Sequence, residues 1–193
     1  MSTVSDDVEL VGEEVVGNLV RAALFAALTG VFAYVSFQLP VTSVPFTLQV
    51  LGVFLAGVFL GPVWGFASMA IYVVAGAVGA PVFAYGSAGL GSLFGQWGGY
   101  LWSYPVAAGL VGLGVHGAGD LVDPGEVGLG RLVGAMTAAT LVIYAFGTVG
   151  YAVVGDVGLV TALLAAAVPF VPAEAIKMAA TVAVVRSDAV VAR

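Results

Sequence analysis

Glu174 and Lys177 stand three residues apart in Val-Pro-Phe-Val-Pro-Ala-Glu-Ala-Ile-Lys, residues 168–177. Positions i and i+3 share one face of a helix, so a carboxylate that only accepts and an ammonium that only donates point together. Pro172 suits the first helical position, where its missing N–H costs nothing. Glu174 then falls in the first turn, where the helix dipole favours an anion. Two kinds of chemistry are open to such a pair. It is either a structural ion pair that pins its helix, or the charged part of a polar ligand site.

The stretch Leu39-Pro-Val-Thr-Ser-Val-Pro-Phe-Thr-Leu-Gln49 offers a second set of polar groups. Two prolines make it stiff and extended. It carries the hydroxyls of Thr42, Ser43 and Thr47, the amide of Gln49 and the ring of Phe46. It reads as an ordinary connection or as a loop that dips towards a ligand. A third segment is rich in glycine: Gly86, Gly89, Gly91, Gly95, Gly98 and Gly99, with Tyr85, Gln96, Trp97 and Tyr100 among them. No Gly-Lys-Ser/Thr follows and no strand precedes, so neither a P-loop nor a dinucleotide turn is supported. Glycine there lets backbone approach a ligand or another helix. Trp102 and Tyr104 fit an interfacial aromatic belt.

Ala22, Ala23, Ala26 and Ala27 form two overlapping small-xxx-small pairs. They make a flat face for a helix of the same bundle or for a partner subunit. His116, near Asp120, Asp123 and Glu126, reads as a solvated histidine at a helix end. No residues show metal-ligand spacing, and no Ser-His-Asp arrangement is credible. Enzymatic chemistry and a bound cofactor are therefore not expected.

The elements that must position these groups follow from composition. The chain has 193 residues, 61% hydrophobic and 8% charged, with no cysteine and a formal net charge of −6. A soluble domain carries about 25% charged residues, so this chain could not cover its surface with groups compatible with water. Five basic residues cannot make a phosphate-binding face, which excludes nucleic acid as a partner. Residues 22–119 contain no Asp, Glu, Lys or Arg, and several membrane crossings of about 20 residues must fit there. Proline and glycine divide the chain into six spans, at 18–38, 46–60, 62–80, 98–116, 131–154 and 172–190. Runs such as Ile71–Val78 are apolar on both faces, which argues for helices and against a barrel. The expected fold is an all-α integral membrane protein with six transmembrane helices.

Residues 1–17 hold Asp6, Asp7, Glu9, Glu13 and Glu14 and no base, so they read as an acidic cytoplasmic tail rather than a signal peptide. Residues 18–190 then form the substrate-binding domain. Arg21, Arg131, Arg186 and Arg193 fall at one set of span ends, and the three opposite connections (39–47, 81–97 and 155–171) contain no Lys or Arg. The positive-inside rule places both termini in the cytoplasm, and the multi-pass chain is expected in the plasma membrane. Lys177 is the exception, just inside the outer end of span six. A buried ionisable group there points to a polar ligand site near the outer surface.

Val44-Pro-Phe-Thr-Leu-Gln49, Gly79-Ala-Pro-Val-Phe83, Gly89-Leu-Gly91, Gly98-Gly-Tyr-Leu101 and the 168–177 segment resemble, in order and spacing, the BioY family. These are substrate-binding S components of energy-coupling-factor (ECF) biotin transporters. The resemblance runs from about Arg21 to Arg186. It implies an S-component-like bundle with a biotin pocket near the outer face, closed by the first and third connections. It also implies a transmembrane coupling protein and two ATPase subunits as partners, with the alanine-rich pattern of the first helix as their docking face. The implied substrate-binding residues are Phe46, Thr47, Gln49, Phe83, Tyr85, Tyr100, Glu174 and Lys177. Glu174 would accept from the ureido N–H groups, and Lys177 would pair with the carboxylate or hold Glu174 ionised. Two departures touch the pocket. The family's last motif usually reads Pro-Gly-Asp, here Pro172-Ala173-Glu174, and its glycine loop often reads Gly-Pro-Thr-Gly-Gly, here Gly95-Gln-Trp-Gly-Gly99. The second departure leaves an S component for another vitamin or related heterocycle as the alternative.

Overall fold

A computed structural model describes residues 12–38, 40, 42 and 44–187. The elements are helix α1 (Glu13–Ala33), strands β1 (Ser36–Gln38) and β2 (Pro45–Thr47), and helices α2 (Gln49–Ala77), α3 (Leu90–Phe94), α4 (Gly98–His116), α5 (Leu129–Gly155), α6 (Leu159–Ala166) and α7 (Val171–Val185). Among the described residues, four segments are long and apolar enough to cross a membrane: Glu13–Ala33, Gln49–Ala77, Leu129–Gly155 and Leu159–Val185.

The second of these segments is two helices. Gly61, at φ 75° and ψ −172°, reverses the chain, and Pro62 opens the following leg. A Cβ on Gly65 would lie 3.0 Å from the Cα of Gly57. Residues eight apart on a straight helix would be about 12 Å apart, so legs 49–60 and 62–77 run antiparallel and in contact. With α4 the bundle therefore has six helical spans. The leg 49–60 is short for a crossing of about 30 Å, and the β1–β2 hairpin completes that side of the molecule.

The hairpin pairs Ser36 with Thr47, Phe37 with Phe46 and Gln38 with Pro45. The stiff, extended chain expected around the two prolines is thus strand as well as loop; Leu39, Val41 and Ser43 lie outside the described residues. Helix α2 lies between α1 and α4, and α5 packs on the other side of α4. The core joins Phe54, Met69, Tyr72, Val111, Met136 and Ile143, among others. Large apolar side chains such as Leu24, Val63, Leu141 and Ile176 face outwards. This inside-out surface is possible because lipid replaces water around a chain whose backbone groups are satisfied within helices.

Four expectations need correcting. Helix α1 begins at Glu13 and ends at Ala33, so residues 13–17 are its first turns and residues 36–38 are strand. Residues 1–11 of the acidic tail, and Arg193, lie outside the described residues. Residues 155–171 are not a simple connection, because α6 occupies much of them. The 15 residues of α7 span only about 22 Å, and α6 supplies the rest of the sixth crossing. Glu174 and Lys177 consequently sit within the Leu159–Val185 segment, deeper than its outer end.

His116 is also corrected. It is buried, with Nε2 2.8 Å from the Val58 carbonyl oxygen, while its Nδ1 accepts from the Val122 N–H at 3.1 Å. An acceptor Nδ1 leaves the proton on Nε2, which donates to Val58. The ring thus ties the end of leg 49–60 to the α4–α5 loop. Arg131 donates to the Gly114 carbonyl in the last turn of α4, and Arg186 to the Gly125 and Val127 carbonyls of that loop. These two arginines and His116 therefore share one end of the bundle.

Candidate functional site

At the other end lies a cavity of about 450 Å³. Its walls come from β2 and the start of α2, the 83–97 connection, the first turns of α4, the middle of α5 and the start of α7. Each element offers its polar groups for a local reason. Pro169 and Pro172 break the sixth span and start α7 afresh, which brings Glu174 into a first turn and Lys177 onto the same face. Lys177 Nζ donates to Glu174 Oε1 at 2.7 Å. The residues are 3% and 4% exposed. Two opposite charges at this depth are tolerable only because they neutralise each other. The ammonium also sits 4.8 Å from the centroid of the Phe46 ring, a cation–π contact. Phe46 itself stacks on Phe37, its partner across the hairpin, at 4.4 Å between centroids.

Next to the pair runs a chain of hydrogen bonds. Thr47 Oγ1 donates to Gln49 Oε1 at 2.8 Å, Gln49 Nε2 donates to the Tyr72 hydroxyl, and that hydroxyl donates to the Val82 carbonyl at 2.8 Å. This chain couples β2 to the connection that carries Phe83. Phe83 is buried edge-on against Tyr72, in a space left by Gly76, where any Cβ would overlap the ring at 2.1 Å. Gly147 of α5 leaves room for Tyr100 in the same way, and the Tyr100 hydroxyl donates to the Ala166 carbonyl. Thr42 donates to the neighbouring Ala165 carbonyl at 2.5 Å. The hairpin and α4 are thus both fastened to the elbow between α6 and α7.

Six of the eight expected binding residues line the cavity: Thr47, Gln49, Phe83, Tyr100, Glu174 and Lys177. Phe46 stands behind Lys177 rather than on the wall. Tyr85 is not brought in; it is 52% exposed and adopts a left-handed conformation at φ 58°. Tyr104 is corrected from the aromatic belt to the interior. It is 3% exposed, stacks on Tyr72 at 6.3 Å and lines the cavity. Its spacing of four from Tyr100 was the available signal, since both fall on one helical face. Trp102 does stand at the surface, its indole N–H donating to the Leu93 carbonyl at 3.0 Å. Tyr144 and Ile143 of α5 and Phe170 also line the cavity. They lie in uniformly apolar runs, where periodicity does not single out an inner face.

The four alanines separate. Ala22 and Ala26 are buried in the core, and Ser68 Oγ donates to the Ala22 carbonyl at 2.8 Å. They cannot meet another subunit. Ala23 and Ala27 are exposed on the outer face of α1.

The site is therefore a mostly apolar, partly open cavity, with one neutralised ion pair and a few directed hydrogen-bonding groups. That suits a small ring-bearing ligand with polar edges. Comparison with known proteins gives the same frame. The family model described as BioY family matches residues 3–192. A probable biotin transporter BioY of Pyrococcus horikoshii is 49% identical over 92 residues, 48% of this chain and 56% of the relative. The match spans about half the length of that relative and likewise of the Thermotoga maritima biotin transporter BioY, which is 44% identical over 96 residues, 50% of this chain and 56% of the relative. The biotin transporter BioY of Rhodobacter capsulatus is 33% identical over 184 residues, 89% of this chain and 93% of the relative. A crystal structure of the S-component for biotin from an ECF-type ABC transporter superposes with a TM-score of 0.80 at 23% identity, covering 91% of this chain and 92% of that one. The six-span bundle is thus an S-component fold, and the chain belongs to the BioY family.

Proposed function

We propose that this chain binds biotin from outside the cell and delivers it inward as the S component of an ECF importer. The observation that carries the reading is the buried Glu174–Lys177 pair in the wall of a largely apolar cavity. Biotin offers a ureido ring with two N–H donors and one carbonyl, an apolar thioether ring and a carboxylate tail. Glu174 accepts from the ureido N–H, and Lys177 holds Glu174 ionised. Phe83, Tyr100 and the Phe46–Lys177 stack enclose the rings. Thr47 and Gln49 are engaged with each other and with Tyr72, so they set the shape of the wall.

The partners are a transmembrane coupling protein and two ATPase subunits, because the chain has no nucleotide motif to supply energy itself. The termini lie in the cytoplasm, at the end marked by Arg131 and Arg186. Binding of labelled biotin to the purified protein tests the reading; a protein that ignores biotin overturns it. The bulky Trp97 in the cavity wall favours, as a second reading, a related heterocycle. A competition panel of vitamins against labelled biotin separates the two.

A further inference from the structure

Three residues that line the cavity, Trp97, Tyr144 and Glu174, each carry a buried polar atom with no hydrogen-bond partner among the described residues: Nε1, OH and Oε2 respectively. Buried polar atoms are nearly always paired, and an unpaired one costs the desolvation of that group. The three differ in kind. Glu174 Oε2 only accepts, the indole N–H only donates, and the tyrosine hydroxyl can donate. They also come from neighbouring elements. Thr137 Oγ1 lies 3.9 Å from Met178 Sδ, which sets α5 beside α7. Tyr144 is about two turns beyond Thr137, and Glu174 about one turn before Met178, so the antiparallel helices bring both to the same end. Trp97 and Tyr144 pack together with Val44, Ala166 and Phe170 under the hairpin.

We propose that Tyr144 and Trp97 are specificity-determining residues that donate their O–H and N–H to the carbonyl oxygen of the ligand's ureido ring, while Glu174 Oε2 accepts from the adjacent ring N–H. This rests on the reading of biotin as ligand and adds the end of the molecule that the α4–α5 wall recognises. The pattern of two donors beside one acceptor matches a cyclic urea edge. A carboxylate has no N–H to offer Glu174.

The test measures binding of biotin, 2-iminobiotin and biotinamide to the wild type and to Tyr144→Phe and Trp97→Phe. In 2-iminobiotin a nitrogen bearing hydrogen replaces the carbonyl oxygen; in biotinamide the carboxylate becomes an amide. Each variant is expected to weaken biotin and biotinamide together by about tenfold and to leave 2-iminobiotin within about twofold, because a site built around an acceptor loses only what it gave to that acceptor. The melting temperature of Tyr144→Phe without ligand should not fall, since no hydrogen bond within the protein is removed. Loss for biotin but not for biotinamide would place the carboxylate at these donors and overturn the assignment. Equal loss for all three ligands, or none for any, overturns it as well. A wild type that binds no biotin removes the biotin reading itself; wild-type binding with unchanged selectivity in the variants removes only the roles of Tyr144 and Trp97.

Discussion

Lys177 matters at the residue scale because it is the ion-pair partner of the buried Glu174. Removing one partner of a buried pair leaves the other unpaired, at a cost of about 3–5 kcal/mol, whereas removing both is often neutral. Lys177→Ala should therefore lower both melting temperature and biotin binding strongly. The double change Glu174→Gln with Lys177→Met should recover most of the stability and none of the binding. Thermal unfolding in detergent, measured beside labelled-biotin binding, separates the two effects. Recovery of both would make the pair purely structural. Thr148 offers a contrasting case. Thr29, Thr140 and Thr181 return their hydroxyls to the carbonyl four residues earlier, but Thr148 Oγ1 is buried without a partner among the described residues. Thr148→Val keeps the shape and removes the orphaned hydroxyl, so it should leave stability unchanged or raise it by up to about 1 kcal/mol, read as a higher melting temperature.

The decisive position at the scale of elements is the turn between the two legs of α2. At φ 75° and ψ −172°, Gly61 occupies backbone space that is essentially open to glycine alone, and a Cβ there would meet Leu121 Cδ2 at 2.3 Å. Gly61→Ala should cost about 1–3 kcal/mol from the backbone alone, seen as a lower melting temperature with binding per folded molecule retained. The turn was legible in the sequence, because a Gly-Pro pair inside an apolar run of nearly thirty residues has to end one helix and start another. The Glu174–Lys177 pair was legible for a similar reason: in a chain with so few charges, two at helical spacing stand out. What escaped notice was apolar or nearly so. Helix α6 hides in a run that reads as a connection, since glycine and aspartate precede it and proline follows. Tyr144 carries no sequence mark of facing inwards, because lipid-facing and core-facing positions of a membrane helix have the same composition. His116 resembled a solvated residue because acidic neighbours follow it, yet its two ring nitrogens are taken up by backbone groups of separate elements.

The same ambiguity decides how the whole molecule would meet a partner. Helix α1 carries Val20, Ala23, Leu24, Ala27 and Val31 on one exposed face, at the helical spacings of three and four. Ala23 and Ala27 form a flat strip between bulkier side chains, whereas Ala22 and Ala26 on the opposite face are closed off by the bundle. Small residues on a lipid-facing helix allow close backbone approach by another helix, and lipid alone gives no reason for them. If the coupling protein docks on this strip, Ala23→Leu with Ala27→Leu should leave biotin binding and melting temperature as in the wild type, and abolish biotin uptake by cells that supply the coupling protein and ATPases. Ala22→Leu or Ala26→Leu should instead overpack the core and destabilise the isolated chain by about 1–3 kcal/mol. Co-purification of the tagged chain with its coupling module gives the direct measurement. Full retention of the module by the Ala23/Ala27 variant would move the docking surface off α1, to another of the apolar faces that this bundle turns to the membrane.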